Sequence, residues 1–478
     1  MATTHQKFFI DGQWVEPASS SRINVLGAAT GESIGSCPEG ATADIDRAVA
    51  AARRAFKESA WASYTPAERG AALNRFADAI EKRGARLAQT VSMQNGMPIN
   101  VADQLESGFV VGVLRYYAAL AAGLVTEETR PSPLGFNTFV RKEAIGVVGA
   151  IVPWNFPVAL SIMKIGPALA AGCTMVLKPS PETVLDSYIL AEAAEEAELP
   201  PGVLNWVPGG RDVGAYLVSH PGIDKVAFTG STNAGRIIAQ ECGRLLRPVT
   251  LELGGKSAAI ILEDADLNAV LQGLPSTSLL NNGQACFSCT RILAPNSRYD
   301  EIVDAIAGSV SSLVVGDPLD RATQIGPMAS SVHRTRVEGY IAKGKSEARL
   351  VAGGGVPQQE RGWFVQPTVF ADVDNAATIA REEIFGPVLS IIRYGSEDDA
   401  VRIASESEYG LGGTIWSVDR DRAASLARRV ESGTVGINGY LPDINAPFGG
   451  IKASGLGREL GPESIAAYQQ YKSIYMLG

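Results

Sequence analysis

Ala144-Ile145-Gly146-Val147-Val148-Gly149-Ala150-Ile151-Val152 is a short apolar run closed by Pro153-Trp154-Asn155-Phe156-Pro157. Similar short runs recur at 174–177, 204–207 and 225–228, with helical stretches between them. That alternation reads as βαβ units and a parallel sheet covered by helices on both faces. A second series begins near residue 255, with candidate strands at 257–262, 291–293, 387–392 and 413–416.

Upstream, residues 42–122 read as helices. Ile45, Val49, Ala52 and Phe56 recur at helical spacing behind Thr42 or Asp44 as N-cap. Pro66 suits the first turn of a second helix carrying Leu73, Phe76 and Ile80. Residues 126–141, rich in Pro, Gly and Thr, read as a β-hairpin arm, and 467–476 has strand-like composition. Neither segment has a core of its own, so both are expected to pair with another subunit.

At 478 residues the chain exceeds a single core and should divide into roughly two or three domains. Apolar residues make up 46 % and charged residues 19 %, the balance of a globular protein in water. A net charge of −9 argues against nucleic-acid and anionic-membrane partners, which want a basic face. It leaves room for a phosphate-bearing ligand held at a helix N-terminus.

The five cysteines are scattered and odd in number, so no disulfide framework is expected and a reducing compartment is. Cys286 and Cys289 form a C-x-x-C, but no second pair or nearby histidine accompanies them, so no metal site is expected. The first residues lack the apolar core of a signal peptide, and no apolar run approaches the roughly 18 residues of a membrane span. A cytoplasmic location is the expectation.

Gly283-Gln284-Ala285-Cys286 puts a thiol in a segment rich in Asn281, Asn282 and Gly283. Such a cysteine is either a buried structural residue or a nucleophile with oxyanion donors around it. A nucleophilic thiolate needs something to take its proton. Only His5, His220 and His333 exist, each in a segment that reads as loop or exposed helix, so a Cys–Glu pair is easier to build than a Cys–His pair. Glu252, between Leu251 and Leu253, is the candidate: burial raises a carboxylate toward the range of a general base, the alternative being a salt bridge. Gly254-Gly255-Lys256-Ser257 looks like the end of a P-loop, but Thr250 replaces the leading glycine, so that reading fails.

Phe228-Thr229-Gly230-Ser231-Thr232 joins a strand to a helix in the manner of a phosphate-binding turn, or of a plain βα loop. Asn155 either donates to an oxyanion or merely forms a turn. Lys178 either contacts ribose hydroxyls or is an ordinary surface lysine. Glu382-Glu383-Ile384-Phe385-Gly386-Pro387 pairs carboxylates with an aromatic, and by itself reads as a solvated helix end.

Taken in order, Pro-Trp-Asn-Phe-Pro, Lys-Pro-Ser-Pro-Glu-Thr, Phe-Thr-Gly-Ser-Thr, Leu-Glu-Leu-Gly-Gly-Lys, Gly-Gln-Ala-Cys, Glu-Glu-Ile-Phe-Gly-Pro-Val, Pro447-Phe448-Gly449-Gly450 and Gly457-Arg458-Glu459 closely resemble the aldehyde dehydrogenase superfamily. The resemblance implies an α/β fold: a Rossmann-like NAD(P)-binding domain (1–122 and 143–253), a second α/β catalytic domain (254–460) and oligomerisation segments (123–142 and 461–478). It implies a homodimer or homotetramer. It makes Cys286 the nucleophile, Asn155 the oxyanion donor, Glu252 the base for thioester hydrolysis and Glu459 an assisting carboxylate. Ile151, Trp154, Lys178, Gly230, Ser231, Leu253, Glu383 and Phe385 match cofactor contacts. Leu160, Met163, Leu280, Phe287 and Phe448 match the substrate tunnel, whose lack of a cation suggests medium-sized or aromatic aldehydes.

One departure concerns the cofactor. Many NAD-preferring members carry a glutamate three residues after the lysine, where this chain has Pro181 and places Glu182 one residue later. NAD is expected and NADP stays open. Transfer of the acyl group to CoA is disfavoured by Glu252, which supports water. A member retired to a binding or structural role is disfavoured by the presence of Cys286, Glu252 and Asn155 together.

Overall fold

A computed structural model describes residues 3–477, so the outermost ends of the expected segments, residues 1–2 and 478, lie outside the described residues. Two large sheets dominate it. The first has eight strands in the order Gly455–Leu456, Val249–Glu252, Lys225–Thr229, Val147–Ile151, Thr174–Lys178, Leu204–Trp206, Phe8–Ile10 and Gln13–Val15. The five from Val249–Glu252 to Leu204–Trp206 are parallel. The earliest of them in sequence, Val147–Ile151, lies at the centre, with the next two on one side and the last two on the other. This is a doubly wound sheet whose order reverses between Val147–Ile151 and Lys225–Thr229, and ligands settle outside the carboxyl ends at such a reversal.

Every residue of the Val147–Ile151, Thr174–Lys178 and Lys225–Thr229 strands is buried, as the unbroken apolar runs require of strands with helices on both faces. The run 144–152 nevertheless divides. Ala144 ends the arm strand Asn137–Ala144, and the core strand starts at Val147. Gly146 makes the break with φ of +131°. A Cβ there would meet Asp224 Oδ2 at 1.9 Å, the oxygen that accepts the Val147 N–H at 2.7 Å.

The second sheet runs Arg349–Ala352, Thr368–Ala371, Val388–Tyr394, Arg291–Pro295, Ala258–Ile261, Gly413–Trp416 and Gly436–Ile437. It is parallel except at Arg349–Ala352. Its four contiguous central strands are those expected from sequence.

Two local expectations change. The first helix, Thr42–Glu58, is preceded by Ala41 at the N-cap. Asp44, three residues in, accepts the Ala41 N–H at 2.9 Å, so neither Thr42 nor Asp44 is the cap. The tail strand Gln469–Met476 pairs antiparallel with Asn137–Ala144 of its own chain, which in turn pairs with Glu127–Pro131. The arm therefore takes its third strand from its own tail, which leaves Glu127–Pro131 and Gln469–Met476 at its edges.

Helix Pro66–Glu81 starts as expected, with Thr65 and Glu68 forming a capping box. It packs against the continuous helix Ile99–Ala122. That helix is long and apolar enough to cross a bilayer by composition, but it carries Asp103, Glu106 and Arg115. Its apolar side is covered by Pro66–Glu81 and by Pro157–Ala171, every residue of which is buried.

Candidate active site

Two clefts open along the carboxyl ends of the parallel strands. One, of about 660 Å³, is lined by Ile151 and Lys178 together with Gly210, Arg211 and Gly214. Desolvation holds the Lys178 ammonium down to about 8, and its Nζ donates to the Gly209 carbonyl at 2.6 Å. The other, of about 440 Å³, is lined by Trp154, Gly230, Ser231, Leu253, Glu383 and Phe385. Ser231 caps the helix Thr232–Arg244, its hydroxyl accepting from the Ala234 N–H. The positive end of that helix therefore faces the cleft.

Cys286 and Asn155 line this second cleft and also a third cavity, of about 160 Å³. The thiol thus stands where two openings meet. The chain before it is unusual: Asn281, Asn282 and Gly283 all have positive φ, of 48°, 63° and 78°. Asn tolerates this region better than most residues, and at Gly283 a Cβ would strike Gly386 O at 2.3 Å. The side chains hold the turn in place. Asn281 Nδ2 donates to Asn155 O at 2.8 Å, and Asn282 Nδ2 to Gly96 O and Pro327 O at 2.9 Å each. Asn155 Nδ2 donates one proton to Gln284 O at 3.0 Å, leaving its second N–H for a ligand.

The Gly254-Gly255 pair finds its reason here. A Cβ on Gly255 would lie 2.3 Å from Cys286 O, and one on Gly254 would lie 2.5 Å from Glu383 Oε2. Glycines let the end of the Val249–Glu252 strand touch both groups. Glu383 Oε1 accepts the Gly255 N–H at 3.0 Å, and desolvation lifts its carboxyl to about 7.

Glu252 is 2 % exposed, and neither carboxylate oxygen has a hydrogen-bond partner among the described residues. Burial, and next the Glu459 carboxylate, push it well above the usual carboxylate range, while Lys164 and Arg458 pull it back. Glu459 is itself buried and paired with Lys164 at 2.5 Å. Lys164 Nζ also reaches Thr229 Oγ1 at 2.6 Å. Burial, followed by Glu383 and Glu252, raises the Cys286 thiol far above its ordinary value.

Leu160, Met163, Leu280, Phe287 and Phe448, all expected in the tunnel, line the third cavity. Phe109, Phe156 and Tyr440 join them. Phe287 stacks on Tyr440 with centroids 4.7 Å apart, and Phe448 stands edge-on at 6.4 Å. The tunnel walls are almost wholly apolar, with no lysine or arginine among them.

Residues 14–474 match the Aldehyde dehydrogenase family. The chain belongs to that family. Among its relatives, the geranial dehydrogenase of Castellaniella defragrans is 69 % identical over the whole of both chains. A Mycobacterium tuberculosis aldehyde dehydrogenase complexed with NAD+ superposes with a TM-score of 0.97 at 48 % identity, covering 100 % of this chain and 99 % of that one. A variant of aldehyde dehydrogenase C from Pseudomonas syringae, complexed with NAD+ and octanal, gives a TM-score of 0.94 at 40 % identity, covering 98 % and 96 %. With family membership comes the activity class: this dehydrogenase oxidises aldehydes.

In the dehydrogenase fold His333 is a correction. Its segment reads as loop or exposed helix, but it is 9 % exposed and lines the cleft beside Cys286. Its Nε2 lies 2.6 Å from Phe385 O, and its ring packs against Trp154 at 5.0 Å. Phe385, whose carbonyl makes that contact, has φ of +63°. The mostly polar helix Ser331–Glu347 gives no local signal that its first turn is covered. Lys164 was also missed, because an isolated lysine inside an apolar helix has no visible partner until Glu459 is folded against it. Cys289 lines neither cavity and is fully buried in the second sheet's core.

Proposed function

We propose that this protein oxidises medium-sized apolar aldehydes, of the straight-chain or isoprenoid type, to carboxylic acids with NAD, through a covalent intermediate on Cys286. The observation that carries this reading is the position of Cys286 and Asn155 between an apolar tunnel and the cleft at the strand ends. The clefts suit a dinucleotide: they lie at the sheet's topological reversal, with a helix N-terminus for a pyrophosphate and Lys178 and Glu383 placed for hydroxyls. The names of the relatives, geranial in one and octanal with NAD+ in another, support the same substrate class and cofactor.

NAD bound there supplies the acceptor for the hydride that leaves the substrate carbon. The chain's own residues do the rest. Cys286 Sγ gives its proton to Glu252, which passes it on to solvent, and forms a bond to the aldehyde carbon, while the carbonyl oxygen becomes an oxyanion within reach of the free Asn155 N–H. Loss of hydride leaves a thioester on Cys286. Glu252 removes a proton from water, the hydroxide adds to the thioester carbonyl, and the C–S bond breaks to give the acid. A raised carboxyl suits Glu252 to this exchange, because its affinity for a proton approaches that of the groups it serves.

The test is formation of reduced nicotinamide on adding geranial, octanal, benzaldehyde or acetaldehyde with NAD or NADP, with and without CoA. Higher kcat/KM for the apolar aldehydes without CoA is expected. Turnover only with CoA, or preference for a charged aldehyde, would overturn the reading. The exposed strands Glu127–Pro131 and Gln469–Met476 at the arm's two edges support a homo-oligomer, since unpaired edges invite pairing.

A further inference from the structure

The helix Pro157–Ala171 carries an unusual share of the site. Asn155 and Phe156 immediately precede it, Leu160 and Met163 on its first turns line the tunnel, and Lys164 on the next holds Glu459. A small shift of its first turn would move the oxyanion donor, the tunnel wall and the charge partner together. Yet its N-cap, Phe156, makes no side-chain capping bond. Helix N-termini leave their first N–H groups unpaired, and a buried one needs a partner from elsewhere.

That partner is Glu106, 52 residues earlier in the chain. Its Oε2 accepts the Val158 N–H at 2.7 Å and the Ala159 N–H at 3.2 Å. Pro157, at the first helical position, has no N–H to satisfy. Glu106 is fully buried and sits in the single π-helical turn Asp103–Gly108 of the long helix. Such turns insert a residue into the α-helical repeat, re-aim side chains and are enriched at functional sites. From this turn and the one after it Gln104, Leu105 and Phe109 face the tunnel, while Glu106 reaches the neighbouring helix.

We propose that Glu106 is a positioning residue for the aldehyde-oxidising site: it clamps the first turn of Pro157–Ala171 so that Asn155, the tunnel wall and Lys164 stay in register with Cys286. It touches neither substrate nor cofactor and acts through the helix. Burial lifts its carboxyl to about 8, with Asp186 adding to the rise and the two N–H bonds opposing it. Its other oxygen has no partner among the described residues. Glutamine therefore reproduces the acceptor that matters, and leucine fills the space without it.

The proposal goes beyond the reaction assigned above and is separable from it. Glu106→Leu, Glu106→Gln and Glu106→Asp are compared with the parent by hydrogen exchange and by kinetics. Exchange at the Val158 and Ala159 amides should accelerate at least tenfold in Glu106→Leu and stay near the parent rate in Glu106→Gln. This readout stands even if no aldehyde is turned over. With a substrate, kcat should fall on the order of tenfold or more in Glu106→Leu, as for small misplacements of catalytic groups, with the KM for NAD nearly unchanged. Combination with Asn155→Ala should add little to the loss from Asn155→Ala alone, because the clamp acts through that residue. Should the leucine variant not fold, Glu106→Asp, whose carboxyl is one carbon short of the amides, should move both readouts in the same direction. Parent-like exchange and kcat in folded Glu106→Leu or Glu106→Asp, or losses that multiply with Asn155→Ala, would overturn the proposal.

Discussion

Lys164 Nζ and Glu459 Oε1 lie 2.5 Å apart, both nearly sealed from solvent, and this pair sits behind the unpartnered carboxylate of Glu252. The Lys164 charge pulls Glu252 down while burial and Glu459 push it up. In Lys164→Met that pull is gone, so Glu252 gives up its proton only at higher pH. The acid limb of the kcat–pH profile should move upward, and stability should fall by about 3–5 kcal/mol, the usual cost of stranding one member of a buried pair. An unmoved acid limb would count against Glu252 as the base.

Cys286→Ala should abolish turnover. Cys289→Ala should keep most of it, losing about 1 kcal/mol of stability from a small core void. Steady-state rates and thermal melts of both variants decide this, and the opposite pattern would reassign the nucleophile.

Glu252→Gln should release one equivalent of reduced nicotinamide per site and then stall, because acyl transfer to Cys286 proceeds but water is no longer activated. Rapid mixing with mass spectrometry should find the acyl group on Cys286. Full steady-state turnover would show that another group serves the water.

His333 is held down to about 4, chiefly by burial, so the folded protein keeps it neutral. The unfolded chain binds that proton first as pH falls below about 6.5. The stability His333 allows above this value should be lost progressively between about pH 6.5 and 4, by about 3 kcal/mol at most. Denaturation midpoints across this range should show a shallower acid slope for His333→Gln than for the parent.

Pro181 leaves the Lys178 cleft without a carboxylate at that position. Glu182 is exposed on the turn Pro181–Thr183, where it accepts the Ser180 hydroxyl and its charge still reaches the Lys178 ammonium. Arg211 faces the Lys178 cleft. NADP should therefore be turned over measurably, and Pro181→Glu should lower its kcat/KM about tenfold while sparing NAD, since a carboxylate there would repel a 2′-phosphate. Competition assays with both cofactors check this.

The central strands of both sheets were legible because each is a short apolar run bounded by turns. The outer strands Arg349–Ala352 and Gly436–Ile437 were not, being short or partly exposed and so lacking that pattern. Cys286, Glu252 and Asn155 each had a bland local alternative and stood out only through the ordered set of motifs that resembles the family. His333, Lys164 and Glu106 were invisible for a common reason: each acts through a partner more than 50 residues away in sequence.

Local sequence alone determined where the central strands lie and which residues could serve as nucleophile and base, because backbone preference and side-chain reactivity are properties of a few adjacent residues. Tertiary structure decided the charge states of those groups, the apolar tunnel on one side of the thiol, and the tail's pairing with its own arm. Desolvation, cavity shape and strand pairing arise only when distant segments are brought together, and no window of sequence contains them.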